Sequence, residues 1–234
     1  MSKSPAARRC RRQTARGLPL VSLLPCAVCL LFVSGCTLFG VLASKVVPKP
    51  IIPAQYTGMQ GQSIAVMVWA AEGTLIDFPD VRLDLAGSLQ NKLKQAQAAK
   101  TKGLKGISFP TPATAVVRLQ ENHPELEAAP LTDVAPQLGA SRVIYIELEN
   151  LQTRSDASVE LFRGSAAATV KVVEVSGDGR AKVAYEESGI ASVFPPGARE
   201  EGTPDGNDFA IYRGTVDQLT SEIAKRFVPH QEEQ

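Results

Sequence analysis

Hydrophobic and polar positions change rhythm several times along this chain, and each change marks an element. Ser63-Ile64-Ala65-Val66-Met67-Val68-Trp69-Ala70 is an almost unbroken apolar run. It has no solvent-facing phase, so it predicts a strand covered on both faces. A loop with Gly73 and Pro79 follows, and Asp80 is placed to cap a helix. From Val81 to about Lys100 the pattern is helical. Val81, Leu85, Leu89, Leu93 and Ala96 form a stripe, with Arg82, Asp84, Gln90, Lys92 and Lys94 largely off it. Thr101-Lys102-Gly103 ends that helix. Gly106-Ile107-Ser108-Phe109 predicts a short strand, and residues 113–121 a short helix closed by Asn122-His123-Pro124. Thr132 is placed to cap another helix over 133–138, distorted by Pro136 and stopped by Gly139.

The second half changes period. Arg142 to Glu149 alternates like a half-exposed strand. Phe162 to Val175 is a second strand, Ser176-Gly177-Asp178-Gly179 a turn, and Ala181 to Glu187 a third strand, together an antiparallel meander. A loop over 195–208, with three prolines and three glycines, could bind a partner or simply move. Phe209 to Phe227 is helical again, with Phe209, Tyr212, Val216, Leu219, Ile223 and Phe227 on one face. The predicted order is β-α-β-α-α-β-β-β-α. It implies an α/β (α+β) domain, a mixed sheet of about five strands with helices packed on it.

The amino terminus has a different organisation. Residues 2–16 are basic, residues 18–35 are apolar and uncharged, and Cys36 follows. That layout is a secretory signal. Val33-Ser34-Gly35-Cys36 resembles the bacterial lipobox, which implies cleavage between Gly35 and Cys36 and acylation of Cys36. Several acyl chains, at about 0.8 kcal/mol per buried methylene, anchor far more firmly than one. The uncharged stretch from Leu18 to Ser44 is also long enough for an uncleaved signal anchor, although Pro19 and Pro25 interrupt a helix there. The arginine pairs at 8–9 and 11–12 suggest a twin-arginine signal, but Gln13-Thr14-Ala15 departs from that motif. The expected domains are a signal peptide over 1–35, the lipidated Cys36 with a proline-rich tether over 36–62, one α/β domain over 63–229 and a polar tail over 230–234. The tether, with Pro48, Pro50 and Pro53, favours extended geometry of about 3 Å per residue. Ile51, Ile52 and Tyr56 leave open that it packs on the domain.

Composition narrows the function classes. A chain of 234 residues, 44% hydrophobic and 21% charged, fits one folded domain rather than disorder. Six of the twenty-five basic residues lie in the first thirty-six positions, and no acidic residue does. The remainder carries a formal charge of −5, which argues against nonspecific nucleic-acid binding. All four cysteines, Cys10, Cys26, Cys29 and Cys36, lie at or before the cleavage point. Cys26 and Cys29 have the spacing of a redox or zinc pair but sit inside the apolar signal, and no disulfide is expected in the body.

Candidate chemistry is sparse, and no metal or cofactor is expected. His123 and His230 have no second ligand at metal spacing. Gly87-Ser88 is not a nucleophile elbow, and Gly177-Asp178-Gly179 is too short for a calcium loop. Asp77 and Asp80 flank Phe78-Pro79 after the first strand, where mixed sheets often present a site; turn and cap roles also explain them. Glu147 and Glu149 share a strand face and are expected to meet lysines such as Lys171 in a charge ladder. Trp69 is expected as core or rim packing.

The lipobox, the spacer, the run from Ile64 to Val68 and the segment Leu138-Gly139-Ala140-Ser141-Arg142-Val143-Ile144 resemble one group of envelope proteins. These are lipoproteins with a domain like the amino-terminal domain of TolB, among them activators of penicillin-binding proteins and the curli-secretion lipoprotein. Ser141 stands where Asp is usual. The resemblance implies a non-catalytic, lipid-anchored accessory protein that faces the periplasm and binds another envelope protein or complex. Self-association as a structural or secretion-related lipoprotein is the alternative, and an envelope enzyme using Asp77, Asp80 or His123 is a third reading. Lys171, Glu174, Lys182, Glu186 and Glu187 break the apolar face that a membrane-spanning hairpin needs. Thr37 rather than Asp after Cys36 favours the outer membrane.

Overall fold

In the computed structural model, residues 50–231 are described, apart from Ala198 and Glu200. Gly35, Cys36, the signal region and the first part of the tether lie outside the described residues. Strand β1 (Ile51–Ile52) comes first. The run after Ser63 then forms β2 (Ile64–Ala70), buried along nearly its whole length as its continuous hydrophobicity demands. Helix α1 (Glu72–Asp77) and helix α2 (Val81–Ala98) follow, then α3 (Ala113–Asn122) and the one-turn α4 (Leu131–Val134). Strands β3 (Arg142–Ser155), β4 (Ser158–Val175) and β5 (Ala181–Phe194) build the meander. Helix α5 (Asp208–Ala224) and strand β6 (His230–Gln231) are the last described elements.

The main sheet has the order β2-β3-β4-β5, with β2 parallel to β3 and the rest antiparallel. It is therefore a mixed α+β architecture. The parallel pair starts in register because Ser63 and Ser141 each accept the other's backbone N–H on a side-chain hydroxyl, at 3.0 and 2.9 Å. Helices α2 and α5 lie on one face. Leu85, Leu89, Leu93, Leu219, Ile223 and Phe227 meet Val66, Val68, Ile144, Ile146, Val170 and Val172 there. A smaller cluster forms on the other face, where Val116, Leu126, Val134 and Leu138 cover Ala65, Met67, Val143 and Val173. The outer edge of β2 is shielded by α3, whose Gln120 donates to the Val68 carbonyl at 2.9 Å.

Several expectations are corrected. The sheet has four strands, not about five. Residues 106–109 contribute only an isolated parallel bridge, Ser63 to Ser108, because Pro110 and Pro112 leave no donors to extend it. The expected loop after β2 contains α1. Asp80 and Thr132 make no side-chain cap; α4 begins one residue before Thr132. Arg82 and Gln90 are buried, Arg82 in a 2.5 Å ion pair with Glu127. Strands β3 and β5 run on past their expected ends at Glu149 and Glu187, and β4 starts at Ser158 rather than Phe162 while ending at Val175 as expected. Phe209, expected on the buried face, is 74% exposed.

The tether and tail also differ. Tyr56 and Met59 are buried in the main core, and the Gln55 and Tyr56 amides donate to the Arg226 carbonyl at 2.9 and 3.0 Å. His230 and Gln231 pair with Ile52 and Ile51. Residues 51–62 and 230–231 thus belong to the folded body.

Candidate functional site

Beyond the carboxyl end of β2 the chain leaves the sheet through α1 and re-enters at α2, and this corner faces the start of α5. Open α/β sheets bind ligands beyond the carboxyl ends of their strands, because the chain diverges there and leaves a crevice. A groove of about 410 Å³ occupies the corner, lined by Asp77, Phe78, Asp80, Asp84, Tyr212 and Arg213 among others. Phe78 and Tyr212 form its floor, stacked at 5.2 Å with their planes 5° apart. The Tyr212 hydroxyl donates to Asp84 at 2.7 Å. Burial, with help from that hydrogen bond, pushes the Tyr212 pKa well up, so the ring stays a neutral donor. Arg213 lies 3.6 Å from the other Asp84 oxygen.

The start of α5 is fixed to the β3–β4 hairpin. Asn207 caps the helix by accepting the Ala210 amide at 2.8 Å. The Arg154 guanidinium grips Asp208 with two bonds, 2.9 and 2.5 Å, and Thr153 adds a third at 3.0 Å. The Arg154 bonds lead in holding the Asp208 carboxyl below the usual range. Arg154 also lies over the Phe162 ring at 3.8 Å. A second recess of about 340 Å³ continues from Asp77 and Phe78 along residues 151–156 of this hairpin.

Two apolar side chains stand out of this corner. Phe209 on the groove's lip and Ile76 beside Asp77 are each 74% exposed. Among the described residues, Ile51, Val159 and Val183 are the other large apolar residues that are exposed. Asp84 and Asp208 are neutralised by partners, whereas Asp77 and Asp80 form no ion pair among the described residues. The groove therefore combines an aromatic floor, an apolar rim and unbalanced negative charge.

The structure brings Asp77 and Asp80 together in this groove and leaves His123 out of it. His123 is an exposed helix-end residue 3.0 Å from Glu125. The His230 ring lies 3.2 Å from the Val228 carbonyl. Among the described residues no cluster of metal-ligating side chains occurs. The Glu147 ladder forms, with Lys171 at 3.7 Å from Glu147 and 3.3 Å from Glu186. Glu149 is not part of it; it sits on a bulge and accepts from Thr169 at 2.6 Å. Ser88 bonds Thr220 at 2.9 Å across the α2–α5 contact, and Trp69 is half-buried on the rim of a small cleft beside Tyr145. Sequence reasoning missed Phe209 and the Arg154–Asp208 clamp. The Asn207-Asp208 pair, read as a helix start, would have placed Phe209 in the first turn, clear of the sheet.

No protein-family model matches the chain, and no curated protein matches it. Among solved structures, the lipoprotein GNA1162 from Neisseria meningitidis is 17% identical, with 69% of this chain and 97% of that one covered and a TM-score of 0.38. The hypothetical protein CT253 from Chlamydia trachomatis is 15% identical over 70% and 92%, with a TM-score of 0.39. The PelC dodecamer from Paraburkholderia phytofirmans is 13% identical over 80% and 100%, with a TM-score of 0.36. Likeness at this level assigns no role to any residue of the chain.

Proposed function

We propose that the chain is a lipid-anchored, non-catalytic envelope protein, carrying a TolB amino-terminal-like domain, that docks on another envelope protein. The lipobox ending at Cys36 supports the anchor. Among the described residues no helix is long and apolar enough to cross a membrane. The observation that carries docking is the exposed Phe209 side chain on the groove's lining, with Ile76 also exposed one residue before the lining residue Asp77. Large apolar residues held out of the core at a concave site are what a partner buries. The element order and the turn at Gly139, which leads from a helical turn into β3, support the TolB-like reading. Strand β5 offers an edge for self-association, but irregular pairing at Ala184 and at Ser188-Gly189, with Lys182 and Glu186 beside it, guards that edge.

Two variants test the reading in intact cells. Cys36→Ala should abolish incorporation of labelled palmitate and leave the precursor uncut. Cross-linking followed by affinity purification should recover one envelope protein with the natural chain, and lose it with Ile76→Ser/Phe209→Ser at unchanged protein level. Palmitate labelling that survives Cys36→Ala removes the anchor. Recovery of nothing but the chain itself removes the docking role.

A further inference from the structure

We infer that the groove between α1, the start of α2 and the start of α5 takes a basic, apolar segment of a partner polypeptide, one that sets a lysine or arginine beside a large hydrophobic side chain. This rests on the docking reading and adds the chemistry of what docks. The apolar half of that chemistry follows from Phe209, a groove-lining side chain 74% exposed that only a hydrophobic group would cover with gain; Ile76, exposed one residue before Asp77, adds apolar surface on the same helix. The cationic half follows from the charge left over. Asp84 is held by Tyr212 and Arg213, and Asp208 by Arg154, so each of those carboxylates is already satisfied. Asp77 and Asp80 bracket Phe78-Pro79 at the groove with no cation paired to them among the described residues. A neutral or acidic segment covering Phe209 would strip water from both without replacing it. A guanidinium or ammonium group replaces it, and the exposed Phe209 ring face offers the same cation a second favourable contact. The volume, about 410 Å³, suits one or two side chains rather than a whole folded surface.

The test uses the full chain in cells, with a benzophenone amino acid placed in turn at positions 76, 209 and, as a control remote from the groove, 183. Cross-linked peptides are identified by mass spectrometry. Positions 76 and 209 should both mark one partner segment carrying Lys or Arg within about three residues of a Leu, Ile, Met or aromatic. Asp77→Lys/Asp80→Lys should cut the yield at least about fivefold, an effect of roughly 1 kcal/mol. Exchanging the partner's cation for Glu should restore it in that background. Asp77 and Asp80 are exposed, so the charge-reversed chain should keep its thermal midpoint. A neutral or acidic cross-linked segment, or a yield indifferent to charge reversal, overturns the inference and leaves docking standing. Cross-linking to a second copy of the chain overturns it in favour of self-association. Partner recovery without any cross-link from 76 or 209 moves the dock away from this groove.

Discussion

Glu174 holds three partners at once. It accepts the Tyr56 hydroxyl at 2.9 Å, and Lys182 and Arg142 lie 3.2 and 3.5 Å away. The Tyr56 hydrogen bond leads in lowering its pKa below the ordinary carboxylate value, and the two cations add to it. Burial raises Tyr56 in turn, to about 12, so its hydroxyl remains a donor at any ordinary pH. A folded pKa below the unfolded one means that the contribution is complete above about pH 4.3. It is lost as the pH falls from there through the depressed value. Urea midpoints of the natural chain should therefore fall between pH 5 and 3, and Glu174→Gln should flatten that decline while lowering the midpoint at pH 7. Parallel pH profiles for the two chains would show that Glu174 does not couple the segment around Tyr56 to the sheet.

At the scale of elements, the strands show what a sequence conceals. The alternation expected to end at Glu149 does not end; it changes phase. Ile144, Ile146 and Leu148 are buried before it, and Leu151, Thr153 and Ser155 after it. Glu149 is one extra residue against β4, and that insertion moves the buried face from even to odd positions. The same shift hides the second half of β5, where Tyr185 and Glu187 give way to Ile190 and Ser192. Only pairing to an uninterrupted β4 distinguishes such a bulge from a strand end, and no local pattern carries that information. The helices were more legible because α2 and α5 bury a simple stripe. Arg82 was not, because its burial depends on Glu127, 45 residues away. Asp77 and Asp80 were visible as a pair beyond a strand, but Tyr212, which stacks on Phe78, and Phe209 on the lip come from α5, which no local window joins to them. The close approach of α5 to β4 gives a sharp test. A Cβ on Gly164 would stand 1.8 Å from Thr215 Oγ1 and 3.0 Å from Ile211 Cγ2. Gly164→Ala should cost at least about 2 kcal/mol by denaturant unfolding, within the range of overpacked cores. Adding Thr215→Ala should return part of it. A fully stable Gly164→Ala chain would mean that α5 lies farther from the sheet.

For the whole molecule, the question is where the folded body begins. Composition placed that point at Ser63, after the prolines. Packing places it earlier. Met59 is 1% exposed and Tyr56 8%, and the Tyr56 ring meets Phe227 edge-on at 6.4 Å. The Gly61 amide donates to the Lys105 carbonyl at 2.9 Å, and the Gln62 carbonyl accepts the Ser108 amide at 3.0 Å. These bonds tie the backbone down before β2, and Arg226, whose carbonyl accepts the Gln55 and Tyr56 amides, is itself held to Glu187 by paired 3.0 Å contacts. Deleting residues 50–62 would uncover Phe227 and Leu104 and orphan the Arg226 carbonyl. Burying one Met and one Tyr contributes about 1.5–3 kcal/mol each. A chain starting at Ser63 should therefore unfold with about 3–6 kcal/mol less stability than one starting at Pro50, a large fraction of the total for a domain of this size. Equal urea midpoints for the two chains would make residues 50–62 a tether that merely rests on the surface. The expected gap makes them the first element of the fold, so that pulling on the chain at residue 50 loads the core directly.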